Sequence, residues 1–157
     1  MNMRIALIVL AFFVKEKANA QIDFEKAPWK NLPCEIGQTQ MEMNICSSKK
    51  VHIADSVLKV LYNSILNQLE KEVKEQNKIS NPDDYDKQHL KSLHERTRLL
   101  KESQLAFENY VKSIQGYVSE QFSGGSIRPL MINMWGLGLT EDRIKLLSNM
   151  IEEFGLK

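Results

Sequence analysis

Between Ile53 and Phe122 apolar residues recur at helical spacing almost without a break, and nothing else in the chain constrains the fold as strongly. Ile53, Val57, Leu61, Ile65, Leu69 and Val73 repeat every four residues, with Leu58, Tyr62 and Leu66 widening the stripe. They predict an amphipathic helix of about 25 residues. A polar stretch from Lys74 to Lys78 follows, and then Ser80-Asn81-Pro82, where a second helix is predicted to start. Asn81 suits its N-cap, Pro82 its first position, and Asp83 and Asp84 the positive end of its dipole. Its apolar face steps by three and four through Leu90, Leu93, Thr97, Leu100, Gln104, Phe107, Val111, Ile114 and Val118 to Phe122. At the usual rise that helix is roughly 55 Å long. Helices of this length need a partner along their length, so the two are expected to pair as an antiparallel hairpin.

Ser123-Gly124-Gly125-Ser126 stops the second helix, with a glycine at the left-handed C′ position. Ile127 to Leu139 is apolar but carries the turn formers Pro129, Gly136 and Gly138. A third, shorter helix is therefore expected only from Thr140, an N-cap type, through Ile144, Leu147, Ile151 and Phe154. Residues 21–50 are punctuated by Pro28, Pro33 and Gly37. They read as an irregular lead-in, with no more than a helical turn around Gln40 to Ser47. Seven Gly and four Pro in 157 residues are too few for the turns of a β-sandwich. The expected fold is all-α: a long antiparallel helical hairpin, a shorter C-terminal helix and a disulfide-stapled N-terminal segment in one domain.

Residues 1–20 read as an export signal. Arg4 supplies the positive start, Ile5 to Val14 an apolar run, and Ala18-Asn19-Ala20 the small-x-small cleavage pattern before Gln21. The run is too short to span a bilayer as a helix. Lys15-Glu16-Lys17 between the run and the cut is atypical, and a buried N-terminal helix is the competing reading. Residues 21–157 form the expected mature domain, periplasmic or secreted. Cleavage removes Arg4, Lys15, Lys17 and Glu16 and turns the formal charge from +1 to −1. That balance argues against nucleic-acid binding, which rests on clustered positive charge, and against a polybasic membrane anchor.

Export gives the two cysteines a meaning. Cys34 and Cys46 are expected to pair, closing a loop that contributes roughly 3 kcal/mol in the chain-entropy model. Cu(I) binding by Cys46 with Met41 and Met43 is the sharper alternative, since thiolate and thioether are soft ligands. No catalytic set emerges. The only histidines are His52, His89 and His94, and the last two lie about 140° apart on a helix, so they do not chelate one metal from one face. Asp83, Asp84 and Asp86 lack the alternation of a calcium loop. No metal or cofactor is expected. Gln104, on the apolar face, reads as a buried amide with internal partners. Asp55, near a helix start, is a candidate tie to Arg143.

Several of these residues fall in an ordered set. Gln40-x-Glu42-x-Asn44-x-Cys46 is followed by Ala54-Asp55-x-x-Leu58 and Tyr62, then Gln104-x-Ala106-Phe107. Gly124-Gly125-Ser126-Ile127-Arg128-Pro129 and Leu139-Thr140-x-x-Arg143 complete it. Order and spacing resemble the LprI-type lysozyme inhibitor family over roughly residues 34–150. The resemblance implies an exported, cysteine-stapled helical domain that inhibits lysozyme by direct binding, and it marks Asp55, Leu58, Tyr62, Gln104, Phe107, Thr140 and Arg143 as scaffold positions. The family's second cysteine pair is replaced by Gln115 and Trp135, its tryptophan by Phe107, an Arg-Asp pair by Val111-Lys112, and an Asn by Lys59.

The expected function is therefore that of an exported binding protein, not an enzyme. Its partner would be a lysozyme-type hydrolase or a secreted antibacterial toxin, making it an immunity protein in the second case. A non-catalytic periplasmic assembly role is the other class, since the apolar stripe also fits helix-in-groove docking. Gly124, Gly125, Ser126 and Arg128, in a glycine-marked loop from Gly124 to Met131, are the candidate partner-binding residues. A guanidinium there would pair with a carboxylate of a muramidase cleft.

Overall fold

The computed structural model describes residues 26–32 and 39–155. Among these, three helices make up the fold: α1 (Gln40–Gln76), α2 (Asp84–Gln121) and α3 (Arg128–Glu153). The all-α expectation holds. The proposed signal segment and Cys34 lie outside the described residues, so both the export signal and the Cys34–Cys46 disulfide stay proposals from the sequence.

α1 is 37 residues long and not about 25, because it starts at Gln40 and not near Ile53. The cause is a capping box: the Thr39 hydroxyl accepts from the Glu42 backbone N–H, and the Glu42 carboxylate accepts from the Thr39 N–H at 3.0 Å. Much of the supposed lead-in is thus helix. At the other end the Asn77 side-chain amide donates to the Val73 carbonyl at 2.9 Å, closing the last turn. α2, in contrast, begins later than expected. Its N-cap is Asp83, in a capping box with Asp86, so Asn81 and Pro82 belong to the connection. Pro82 still has a role, since it disfavours helical backbone at Asn81.

The largest departure is α3. The segment Ile127 to Leu139 is helix, not loop, and Thr140 is not an N-cap but a buried residue in the middle of α3. Pro129 sits in the first turn, where its missing N–H costs nothing. Gly136 is kept by close packing: a Cβ there would lie 2.7 Å from the Gln115 amide nitrogen of α2. A helical glycine costs about 1 kcal/mol relative to alanine, and this contact with the neighbouring helix is what it permits.

α1 and α2 run antiparallel, tied by Lys101 to Glu70 at 3.0 Å and by Gln76 to Asp86 at 3.0 Å. The more extensive partner of α1 is nevertheless α3. Asn44 reaches the Ser126 carbonyl, Ser47 meets Asn133, and Asp55 meets Thr140. Those pairs are 82, 86 and 85 residues apart, the near-constant offset of two parallel helices. The result is an up-down-up bundle, so the long hairpin is one side of a three-helix core. Ile65, Leu93, Ile144 and Leu147 are fully buried at its centre.

A fifth fully buried side chain comes from outside the bundle. Lys30 and Asn31 donate to the Ala27 carbonyl, a tight turn that points Trp29 into the core. Trp29 is 0% exposed, and its indole N–H donates to Glu141 of α3 at 2.6 Å. Trp29→Ala should cost about 3–5 kcal/mol, as large aromatic truncations do. Trp29→Phe should cost about 1–3 kcal/mol for the lost charge-assisted bond and the smaller ring. Urea unfolding followed by far-UV circular dichroism measures both, and a Trp29→Phe protein as stable as the parent would show that the indole N–H contributes nothing.

Candidate functional site

The residues singled out in the sequence fall into two groups: the scaffold positions and the glycine turn. The scaffold positions gather inside the bundle. Leu58 is buried on α1, and Tyr62 lies one turn further on, half-buried. From α3, the Thr140 hydroxyl donates to Asp55 Oδ1 at 3.1 Å. Arg143, one turn on, turns away from α1. Its Nη2 donates to Ser103 Oγ at 2.9 Å and its Nε to Gln104 Oε1 at 3.4 Å, while the guanidinium carbon stands 5.6 Å from the Phe107 ring centroid.

The anticipated Asp55–Arg143 tie is therefore not formed. Asp55 takes Thr140, and Arg143 takes α2, because the two α3 residues are about 60° apart around the helix and face different neighbours. Burial pushes the Arg143 guanidinium below the usual arginine range, with Tyr62 acting weakly the other way. Neutral partners and a ring face carry this cation. Gln104 does have internal partners, since its Nε2 also donates to Glu108 at 3.1 Å. This layer holds the three helices together, with Asp55 and Ser103 at its exposed edges.

The turn between α2 and α3 is different. Ser123 donates to the Glu120 carbonyl and Gly125 to the Phe122 carbonyl, and Gly124 has φ 77°, the left-handed backbone that favours glycine. Gly124, Gly125 and Ser126 are all exposed. The loop that was expected to run to Met131 is only this short turn, because Arg128 already opens α3. Arg128 is half-buried and folded back on α2, where Nε donates to Ser119 Oγ at 2.8 Å and Nη2 shares the same oxygen. Its Nη1 takes no part in that contact. Hydroxyl and guanidinium are thus presented together by two rigid helices.

The N-terminus of α1 comes to the same end of the bundle. Asn44 grips the Ser126 carbonyl from α1, and the nearby apolar side chains Met41, Ile45, Tyr117 and Ile127 are exposed. Trp29 and this apolar rim were not legible as features of a site. The capping box at Thr39, which brings α1 down to the turn, was the available signal.

Other candidate chemistry is absent or satisfied. Among the described residues, no three or more His, Cys, Asp or Glu side chains are grouped to hold a metal ion. His89 stacks on Tyr85 with centroids 6.2 Å apart. No helix among the described residues is long and apolar enough to cross a membrane.

The family comparison matches residues 34–147 to a family described as lysozyme inhibitor LprI. That stretch contains α1, α2, the glycine turn and most of α3. No curated protein and no solved structure matches the chain.

Because Arg143 is buried without a carboxylate, its packing should matter more than its charge. Arg143→Met is expected to cost less than Arg143→Ala, with the alanine variant losing about 2–4 kcal/mol. Guanidinium chloride unfolding gives the comparison, and a larger loss for methionine would make the charge the dominant contribution.

Proposed function

The chain belongs to the LprI family of lysozyme inhibitors, and from that premise we propose that it is an exported protein that blocks a lysozyme-type cell-wall hydrolase by binding it directly. The observation that carries this reading is the match over residues 34–147, which takes in α1, α2, most of α3 and the exposed turn between α2 and α3. Inhibition of this kind needs a shape and a charge pattern, not a reaction.

Muramidases work with a pair of carboxylates in a cleft. A convex tip made of Gly124 to Ile127, with Met41 and Ile45 beside it, suits a concave partner. Arg128 supplies the charge. Ser119 fixes its orientation in advance, so little side-chain freedom is lost on binding, and Nη1 is left to donate to a partner carboxylate. With a net charge of −1 after the proposed processing, long-range steering toward a basic enzyme is weak. Affinity then comes from local fit.

Arg128→Ala should weaken lysozyme inhibition by about 2–4 kcal/mol, the cost of leaving a desolvated carboxylate unpaired. Ser119→Ala keeps the cation and should lose less. Lysis of a peptidoglycan suspension, read alongside the Kd of the complex, measures both. An Arg128→Ala protein that inhibits as well as the parent removes the turn from the interface.

A further inference from the structure

α2 carries two rows at helical spacing; the bundle packs against one and touches the other only where Arg143 reaches Ser103. The inner seam runs through Leu93, Thr97, Leu100, Gln104, Phe107, Val111, Ile114 and Val118, every one buried or half-buried. One residue earlier at each step lies a second row: Leu99, Ser103, Ala106, Tyr110, Ser113 and Tyr117, every one exposed. It has the same alternation of four and three, the spacing by which paired helices interlock. The row carries no charge, whereas the rest of the exposed surface of α2 over these turns carries Lys101, Glu102, Glu108 and Lys112. Leu99, Tyr110 and Tyr117 are 48%, 53% and 70% exposed, large side chains that no described residue covers.

We propose that two copies of this chain pair antiparallel through this outer seam of α2. The spacing admits a second copy, and the opposite charges at its two ends point to one. Extended by one step at each end the row reads Arg96, Leu99, Ser103, Ala106, Tyr110, Ser113, Tyr117, Glu120, and its steps of three and four are the same in both directions. Antiparallel pairing about its centre therefore sets each position against another member of the row. Tyr110 falls opposite Ala106, large against small, Leu99 opposite Tyr117, and Ser103 opposite Ser113.

The ends supply the charge match. Arg96 of one copy falls opposite Glu120 of the other, twice by symmetry. Both are exposed, and neither makes an ion pair with a described residue of its own chain. A parallel arrangement would instead set Arg96 against Arg96. The serines also enter such an interface at no cost in lost hydrogen bonds. Ser103 Oγ already donates to the Leu100 carbonyl at 2.9 Å, and Ser113 Oγ to the Asn109 carbonyl at 3.0 Å.

The seam is about 36 Å long, and with a width of about 10 Å it offers on the order of 400 Å² per chain, the scale of reversible association. The pairing leaves the two glycine turns at opposite ends of the dimer, both open. The seam shares Tyr117 with the apolar rim beside the glycine turn, but the pairing does not rest on the lysozyme reading and is tested separately.

Sedimentation velocity of the purified protein across a concentration series tests the pairing. A concentration-dependent monomer–dimer equilibrium is expected. Tyr110→Glu should weaken it by tenfold or more, with circular dichroism confirming an unchanged fold at this exposed position. Arg96→Glu alone and Glu120→Arg alone should each weaken it by roughly tenfold, and the double swap should restore it. A monomer at every concentration overturns the proposal. So does a dimer that Tyr110→Glu leaves intact, and a double swap that does not rescue overturns the antiparallel register.

Discussion

The Arg143 guanidinium, buried between α2 and α3, fixes how the third helix lies in this bundle. A cation taken out of water must be met by polar groups or by a ring face, and here it is met by Ser103, Gln104 and Phe107, all on α2. Those contacts set the rotation of α3 about its own axis. With Arg143 turned toward α2, Thr140 is turned toward Asp55 on α1, and Ile144 and Leu147 are turned into the core between them. Position along the axis follows too. At the level where Arg143 meets Ser103, the start of α3 reaches the end of α2, where Arg128 meets Ser119.

That arrangement links the interior to the surface proposed to bind a hydrolase. The glycine turn is short, and its conformation is set from both sides: by α2, which ends at Phe122, and by α3, which begins at Arg128. A third hold comes from Asn44 on α1. The turn is therefore held from all three helices, which suits an inhibitor that gains affinity from preorganisation. The N-terminal segment adds its own contribution through Trp29, whose indole anchors against Glu141 one residue from Thr140.

Much of this was legible in the residues, and the rest was hidden for physical reasons. Apolar periodicity identified the two long helices because a stripe at 3.6-residue spacing has few other uses. It missed the first turns of α1, where the residues that make the helix are a polar capping pair, Thr39 and Glu42, and not a stripe. It stopped α3 short at Thr140 because Pro129, Gly136 and Gly138 signal turns in isolation. In the fold Pro129 occupies a first turn and Gly136 meets a neighbouring helix. Tertiary contact overrode local preference in the second case. Trp29 was invisible because a single tryptophan in a proline-marked segment carries no period. The family motifs name Asp55, Gln104, Thr140 and Arg143, but which of them touch one another, Asp55 with Thr140 and Arg143 with Gln104, depends on helix rotation that spacing does not encode.

The most direct test of the account is hydrogen–deuterium exchange of the protein with and without lysozyme. The account predicts new protection confined to the α2–α3 turn and the first turns of α1 and α3, around residues 41–45 and 123–131. Unchanged exchange at the turn, with protection elsewhere or none, would contradict it.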